Sequence, residues 1–199
     1  MKLKNKHSSI LFIDTETGGT NPEKHQLLSI GLVHWDKGDL TKEHQILIDD
    51  SPMSITKEAL EINRIDVKEH FKQAKSNSSA FNDLTEYLDK IKKPNSKIII
   101  AGHNVMFDVN FLKRFFKDNE ANFSKYFSHR IIDTYSIMTF LNMSGILKGE
   151  LYNSDKAFEE FEIKIKGRHT AIGDAIGTAM LYNKLLLLLS AKRKTTDNT

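Results

Sequence analysis

The sequence predicts a single α/β domain in which helices flank a mixed β-sheet. Three patterns carry this expectation. Apolar runs of strand length, joined by turn residues, fill the stretch from Ile10 to Ile48; from Lys97 onward such runs alternate with helical periodicity; and no repeat or low-complexity linker divides the 199 residues. A chain of this length builds one substantial core. The expected boundaries are a flexible N-terminus over residues 1–7, a single domain over 8–190 and a polar C-terminal tail over 191–199.

The first strand is read over Ile10, Leu11, Phe12 and Ile13. At its end stand Asp14 and Glu16, which strand alternation puts on one side, and Gly18-Gly19 then allows a sharp turn. A loop from Thr20 to His25 leads to a second strand over Leu27 to Trp35. Asp36-Lys37-Gly38-Asp39 is turn chemistry, so Leu40 to Ile48 returns as an antiparallel partner. From Thr56, an N-cap residue, the spacing of Ile55, Ala59, Leu60 and Ile62 fits a short helix. Beyond the polar patch of Lys75 to Ser79, Phe81, Leu84, Leu88 and Ile91 mark a helix with one buried stripe, stopped by Lys93-Pro94-Asn95-Ser96.

Lys97 to Gly102 is a fourth strand, ending at His103-Asn104. Asn104 is read as the N-cap of a helix whose Phe107, Phe111, Leu112, Phe115 and Phe116 form a core stripe, with Asp108 in its opening turns. Arg130-Ile131-Ile132 is a fifth strand, and Asp133 caps a helix through Met138 and Leu141. Residues 142–156 are weakly patterned, and Ala157 to Ile165 reads as a short helix followed by an irregular segment. Between Gly167 and Ala179 the small residues let a last helix lie close against the sheet, which brings Asp174 to the strand ends.

Apolar residues make up 39% of the chain and charged residues 28%, an ordinary globular balance. The net charge of +3 tolerates a polyanionic partner without identifying one. There is no cysteine, so disulfides, thiolate metal sites and cysteine nucleophiles are excluded, and catalysis must use oxygen and imidazole. The basic start leads into a strand rather than a signal-type apolar segment, and Leu185 to Leu189 is far shorter than the ~20 residues of a membrane span. A soluble, cytoplasmic protein is expected.

Asp14 and Glu16 alone fit either an acidic surface junction or a seat for a hard divalent cation. Asp108 and Asp174 add two more acids at positions where an α/β sheet gathers its site, and His169 stands five residues before the last. Three segments, Asp14-Thr15-Glu16-Thr17-Gly18, His103-Asn104-Val105-Met106-Phe107-Asp108 with Phe111-Leu112 behind it, and His169-Thr170-Ala171-Ile172-Gly173-Asp174-Ala175, follow in order. Together they resemble the three signatures of the DnaQ-like 3′-to-5′ exonucleases, the DEDD superfamily in its histidine-bearing branch.

The resemblance implies a ribonuclease-H-like fold with a five-stranded mixed sheet, strands one to three antiparallel and strands four and five parallel. It implies two divalent ions, Mg²⁺ or Mn²⁺, per active site, held by Asp14, Glu16, Asp108 and Asp174. Asp14 bridges both, Glu16 and Asp174 complete the nucleophile side, Asp108 supports the leaving-group side, and His169 is the general base, a task suited to imidazole near neutral pH. Thr15, Thr17, His103, Asn104 and Phe107 are the implied contacts to the terminal nucleotide. Two departures bear on substrate choice: Asn63-Arg64-Ile65 after Glu58-Ala59, and Thr20 where relatives carry a larger apolar residue.

The implied activity is hydrolysis at the 3′ end of single-stranded DNA in proofreading or repair, with release of nucleoside 5′-monophosphates. An exoribonuclease trimming RNA 3′ ends and a non-catalytic, polymerase-associated nucleic-acid-binding module remain as alternatives. A polymerase or a second copy of the chain is an open partner.

Overall fold

The computed structural model describes residues 9–149 and 154–196, so the expectations for the N-terminus through His7 and for the last three residues lie outside it. The sheet is built around β1 (Ile10–Thr17). β2 (Leu27–Asp36) pairs antiparallel with β1, and β3 (Asp39–Asp49) pairs antiparallel with β2. Lys37 and Gly38 join them with φ of 56° and 107°, the backbone that matches strand twist in a two-residue hairpin. The chain then forms α1 (Lys57–Asn63), α2 (Val67–Gln73), the two-residue β4 (Lys75–Ser76) and α3 (Asn77–Ile91).

β5 (Ile98–Gly102) follows parallel to β1, then α4 (Met106–Asp118), α5 (Phe123–Tyr126) and β6 (Phe127–Asp133), parallel to β5. α6 (Thr134–Met143), α7 (Ser154–Glu160) and α8 (Ala171–Thr196) complete the described chain. The strand order is β4-β3-β2-β1-β5-β6. The five expected strands are present with the expected directions. The sixth, β4, is a short parallel addition to β3 inside the stretch read as a polar patch, where no apolar run marks it.

Side-chain alternation along β1 builds two cores. Leu11 and Ile13 face α3 and α4, packing with Leu84, Leu88, Val109, Leu112 and Phe116. Ile10 and Phe12 face α8, packing with Val33, Trp35, Ala175 and Ala179. The small residues of α8 let it approach the sheet backbone, and a Cβ added at Gly31 of β2 would stand 2.1 Å from the Ala171 carbonyl oxygen. A third cluster joins Met138 and Leu141 of α6, Phe158 of α7, and Leu181 and Leu185 of α8.

Local chemistry explains where elements begin. Thr56 caps α1 as expected, accepting from the Ala59 amide at 3.1 Å. Asp66 caps α2, a helix the periodicity does not reveal because its buried residue is His70 rather than an aliphatic one. Asp133 caps α6, also as expected. Asn104 does not cap α4: it takes a left-handed backbone, φ 56°, and Val105 occupies the capping position. Asp50 anchors α4 from below by a buried ion pair with Arg114, and also accepts from the Leu27 amide at 2.9 Å.

The helical backbone of α8 continues through Thr196, past the expected domain end at 190. By length and composition its stretch Ala171–Ala191 is apolar enough to cross a membrane, a wider run than Leu185 to Leu189 alone. In this fold Ala175, Ala179, Leu181 and Leu185 of that stretch are buried against the sheet and the neighbouring helices.

Candidate active site

Asp14 and Glu16 continue the Ile10 and Phe12 face of β1, so both point toward α8. Asp174 lies in the first turn of that helix. The close packing of Gly31 on Ala171 sets the distance, because Gly31 is the cross-strand partner of Asp14. Oxygens of Asp14, Glu16 and Asp174 consequently lie within 4.8 Å of one another.

Such proximity is costly for anions. Burial holds the Asp14 carboxyl well above the usual range, with Asp108, Asp174 and Glu16 pushing the same way. Burial, followed by Asp174 and Asp108, pushes Glu16 up to about 8. Asp174 is also raised by burial, opposed by the Arg168 guanidinium, which donates from Nη1 to Asp174 Oδ1, and by His169.

Asp108 reaches the site from the opposite face. It sits in the first turn of α4, 4% exposed, and Thr15 Oγ1 donates to its Oδ1 at 2.7 Å. Burial pushes it up to about 7, against the pull of the Thr15 hydroxyl. It lies outside the 4.8 Å trio. His169 is half-buried in the turn before α8 with φ 63° and is likewise outside the trio.

A cleft of about 440 Å³ opens beside Glu16. Thr15, Thr17 and Phe107 line it, with Thr20, His25, Glu58, Ala59, Ile62 and Asn63. Asn63 Nδ2 donates to the Thr17 carbonyl at 3.2 Å and the Thr56 amide to the Gly18 carbonyl at 2.7 Å, fastening α1 to the end of β1. His103 and Asn104 stand at the neighbouring β5–α4 turn rather than in the cleft wall. His103 Nδ1 lies 3.0 Å from Thr134 Oγ1, and the Asn104 amide donates to Asp133 Oδ1 at 2.8 Å.

Sequence reasoning missed Ile62, His25 and Arg168. The spacing of Ile62 marks only a short helix, and the structure leaves it 76% exposed, an apolar side chain presented to the cleft. Arg168 had a signal in its place beside His169, six residues before Asp174.

The donor set fits a hard divalent cation. Three carboxylates converge with their protonation held high above all by burial, joined by repulsion at Asp14 and Glu16, and the Arg168 guanidinium opposes the rise at all three. Oxygen ligands of this kind suit Mg²⁺ or Mn²⁺ chemistry.

A family model described as "Exonuclease" matches residues 11–182. Ribonuclease T of Wigglesworthia glossinidia brevipalpis is 27% identical over 200 residues, covering 92% of this chain and 88% of that protein. Ribonuclease T of Buchnera aphidicola is 30% identical over 184 residues, covering 87% and 82%. Among solved structures, E. coli exonuclease I in complex with a dT13 oligonucleotide superposes with a TM-score of 0.76 at 16% identity, over 96% of this chain and 43% of that one. That likeness shows a shared fold, and the chain spans about two-fifths of that structure's length.

Proposed function

The chain belongs to the DnaQ-like exonuclease family, and from that premise we propose that it removes nucleotides from the 3′ end of single-stranded DNA by metal-dependent hydrolysis. The observation that carries the reading is the convergence of the Asp14, Glu16 and Asp174 oxygens within 4.8 Å, at the edge of a cleft with an apolar wall.

In this reading Asp14, Glu16 and Asp174 hold Mg²⁺ or Mn²⁺, two ions in all, with Asp108 supporting the leaving-group side from across β1. Bound there, divalent cations neutralise charge on the phosphodiester and activate the attacking water. His169 accepts the proton of that water. Ile62, Ala59 and Phe107 offer apolar surface to the terminal base, and such stacking requires a base free of its partner strand. Thr15 and Thr17 at the strand end, with the neighbouring His103-Asn104 turn, set the position of the last sugar. Each turnover releases a nucleoside 5′-monophosphate.

An RNA 3′ end is the second reading, favoured by the 27% and 30% identity to proteins named ribonuclease T. A cytoplasmic setting and a role in proofreading or repair belong to the first reading, and a polymerase or second-copy partner is an addition that the site does not require.

Competition between matched single-stranded DNA and RNA oligomers, with mononucleotide products resolved, tests the substrate. Faster DNA shortening supports the first reading. Faster RNA shortening replaces it with the second, and folded, metal-supplied protein that shortens neither contradicts both.

A further inference from the structure

We propose that Arg168 is a positioning residue for the cation seat: gripped by α7, its guanidinium fixes the orientation of the Asp174 carboxylate. The inference rests on the reading that Asp14, Glu16 and Asp174 take a divalent cation.

The guanidinium is held on three sides. Nε and Nη2 donate to Asp155 Oδ1 at 3.0 and 2.5 Å, and Nη2 donates to Ser154 Oγ at 2.9 Å. The Phe158 ring lies beneath it, with the central carbon 5.0 Å from the ring centroid. All three partners are on α7. The remaining edge, Nη1, donates to Asp174 Oδ1.

The backbone that presents Arg168 is pinned as well. Gly167 and His169 take φ of 75° and 63°, and Thr170 Oγ1 donates to the Gly167 carbonyl at 2.6 Å. A Cβ at Gly173 would stand 2.1 Å from that same carbonyl oxygen, so the turn is packed onto α8.

A carboxylate facing Asp14 and Glu16 gains by rotating away from them. The Arg168 donation to Oδ1 opposes that rotation. Only a planar, multiply donating cation spans Asp155 and Asp174 in one geometry, so lysine is a poor substitute. Hydrogen-bond partners of metal-ligating carboxylates affect metal affinity by about 10–100-fold.

The test is Mn²⁺ binding, followed by the loss of the free-ion electron paramagnetic resonance signal on titration of the full chain. Wild type, Arg168→Met, Arg168→Lys and Asp155→Asn are compared, with melting temperatures taken in EDTA. Loss of the positive charge in Arg168→Met would by Coulomb's law alone tighten cation binding, so weakening reports lost geometry. The expected result is a Kd raised about 10-fold or more in Arg168→Met, a smaller rise in Arg168→Lys and a rise in Asp155→Asn, with the EDTA melting temperatures close to wild type. Unchanged or tighter binding in Arg168→Met overturns the proposal. Should that variant not fold, Arg168→Lys decides, since it keeps the positive charge and loses only the planar fork: unchanged or tighter Mn²⁺ binding there overturns the proposal. Wild-type protein that binds no Mn²⁺ overturns the underlying reading of the site, a distinct result.

Discussion

The Thr15 hydroxyl donates to Asp108 at 2.7 Å, joining residues 93 apart in sequence where β1 meets the first turn of α4. β1 thus carries acids on its α8 face and, between them, a hydroxyl that steadies a further acid on the opposite face. Thr15→Val keeps the shape and removes the donor. A buried acceptor losing its partner costs about 1–3 kcal/mol, and Asp108, already at about 7, loses a bond that favours its ionised form. The expected outcome is a lower melting temperature and at least a 10-fold drop in hydrolysis at pH 7, with Thr15→Ser close to wild type. Parallel melting and turnover assays check this.

The acid cluster sets the pH dependence of stability without metal. Glu16 at about 8 and Asp108 at about 7 bind protons in the fold that the unfolded chain, with ordinary values of 4.5 and 3.8, has released. Because both folded values are raised, stability falls as pH rises from about 4 to 8 and levels off above that window. In EDTA the melting temperature is expected to decline between pH 5 and 8 by several degrees, and Mn²⁺ at pH 8 to restore it. Asp14→Ala, which relieves the repulsion, should flatten the slope.

Gly31 is the contact that brings α8 to the sheet. With 2.1 Å between an added Cβ and the Ala171 carbonyl oxygen, Gly31→Ala must push backbone rather than a flexible side chain. Overpacking of this kind costs about 1–3 kcal/mol. Displacing α8 also moves Asp174, so Mn²⁺ affinity should fall by more than the same loss of stability produces in Phe12→Leu, a change in the core beneath the site. Titrating both variants after matching their melting temperatures makes the comparison.

The fold was largely legible in the sequence because its signals are local. The apolar run Ile10 to Ile13, the Lys37-Gly38 turn and the small residues before Ala179 each act through near neighbours or a fixed periodicity. α2 and β4 were not legible: one buries an imidazole instead of an aliphatic stripe, and the other is only main-chain pairing. At the site the acids could be read from motif order, whereas Ile62 could not, since an isoleucine at helical spacing looks the same whether it faces a core or a cleft. Asn104 shows the reverse error. Its side chain suits a cap, but here its backbone serves as the left-handed turn leading into α4.

Ile62 gives a test of the cleft that leaves the core untouched. At 76% exposure, Ile62→Ser should leave the melting temperature unchanged. Loss of an apolar contact to the terminal base, worth about 1.5–3 kcal/mol for a fully covered isoleucine side chain, predicts that kcat/KM on single strands falls by roughly 10–100-fold. Steady-state digestion of oligomers that differ only in the 3′-terminal base reads the effect.

The most direct test is the digestion of 5′-labelled single-stranded DNA by wild type, Asp14→Ala and His169→Ala, in Mg²⁺ and in EDTA, with products resolved by length. The account predicts a ladder shortening from the 3′ end for wild type in Mg²⁺ only, none for a folded Asp14→Ala, and a loss of most turnover in His169→Ala with Mn²⁺ binding retained. Equal shortening in EDTA, or by Asp14→Ala, would contradict it.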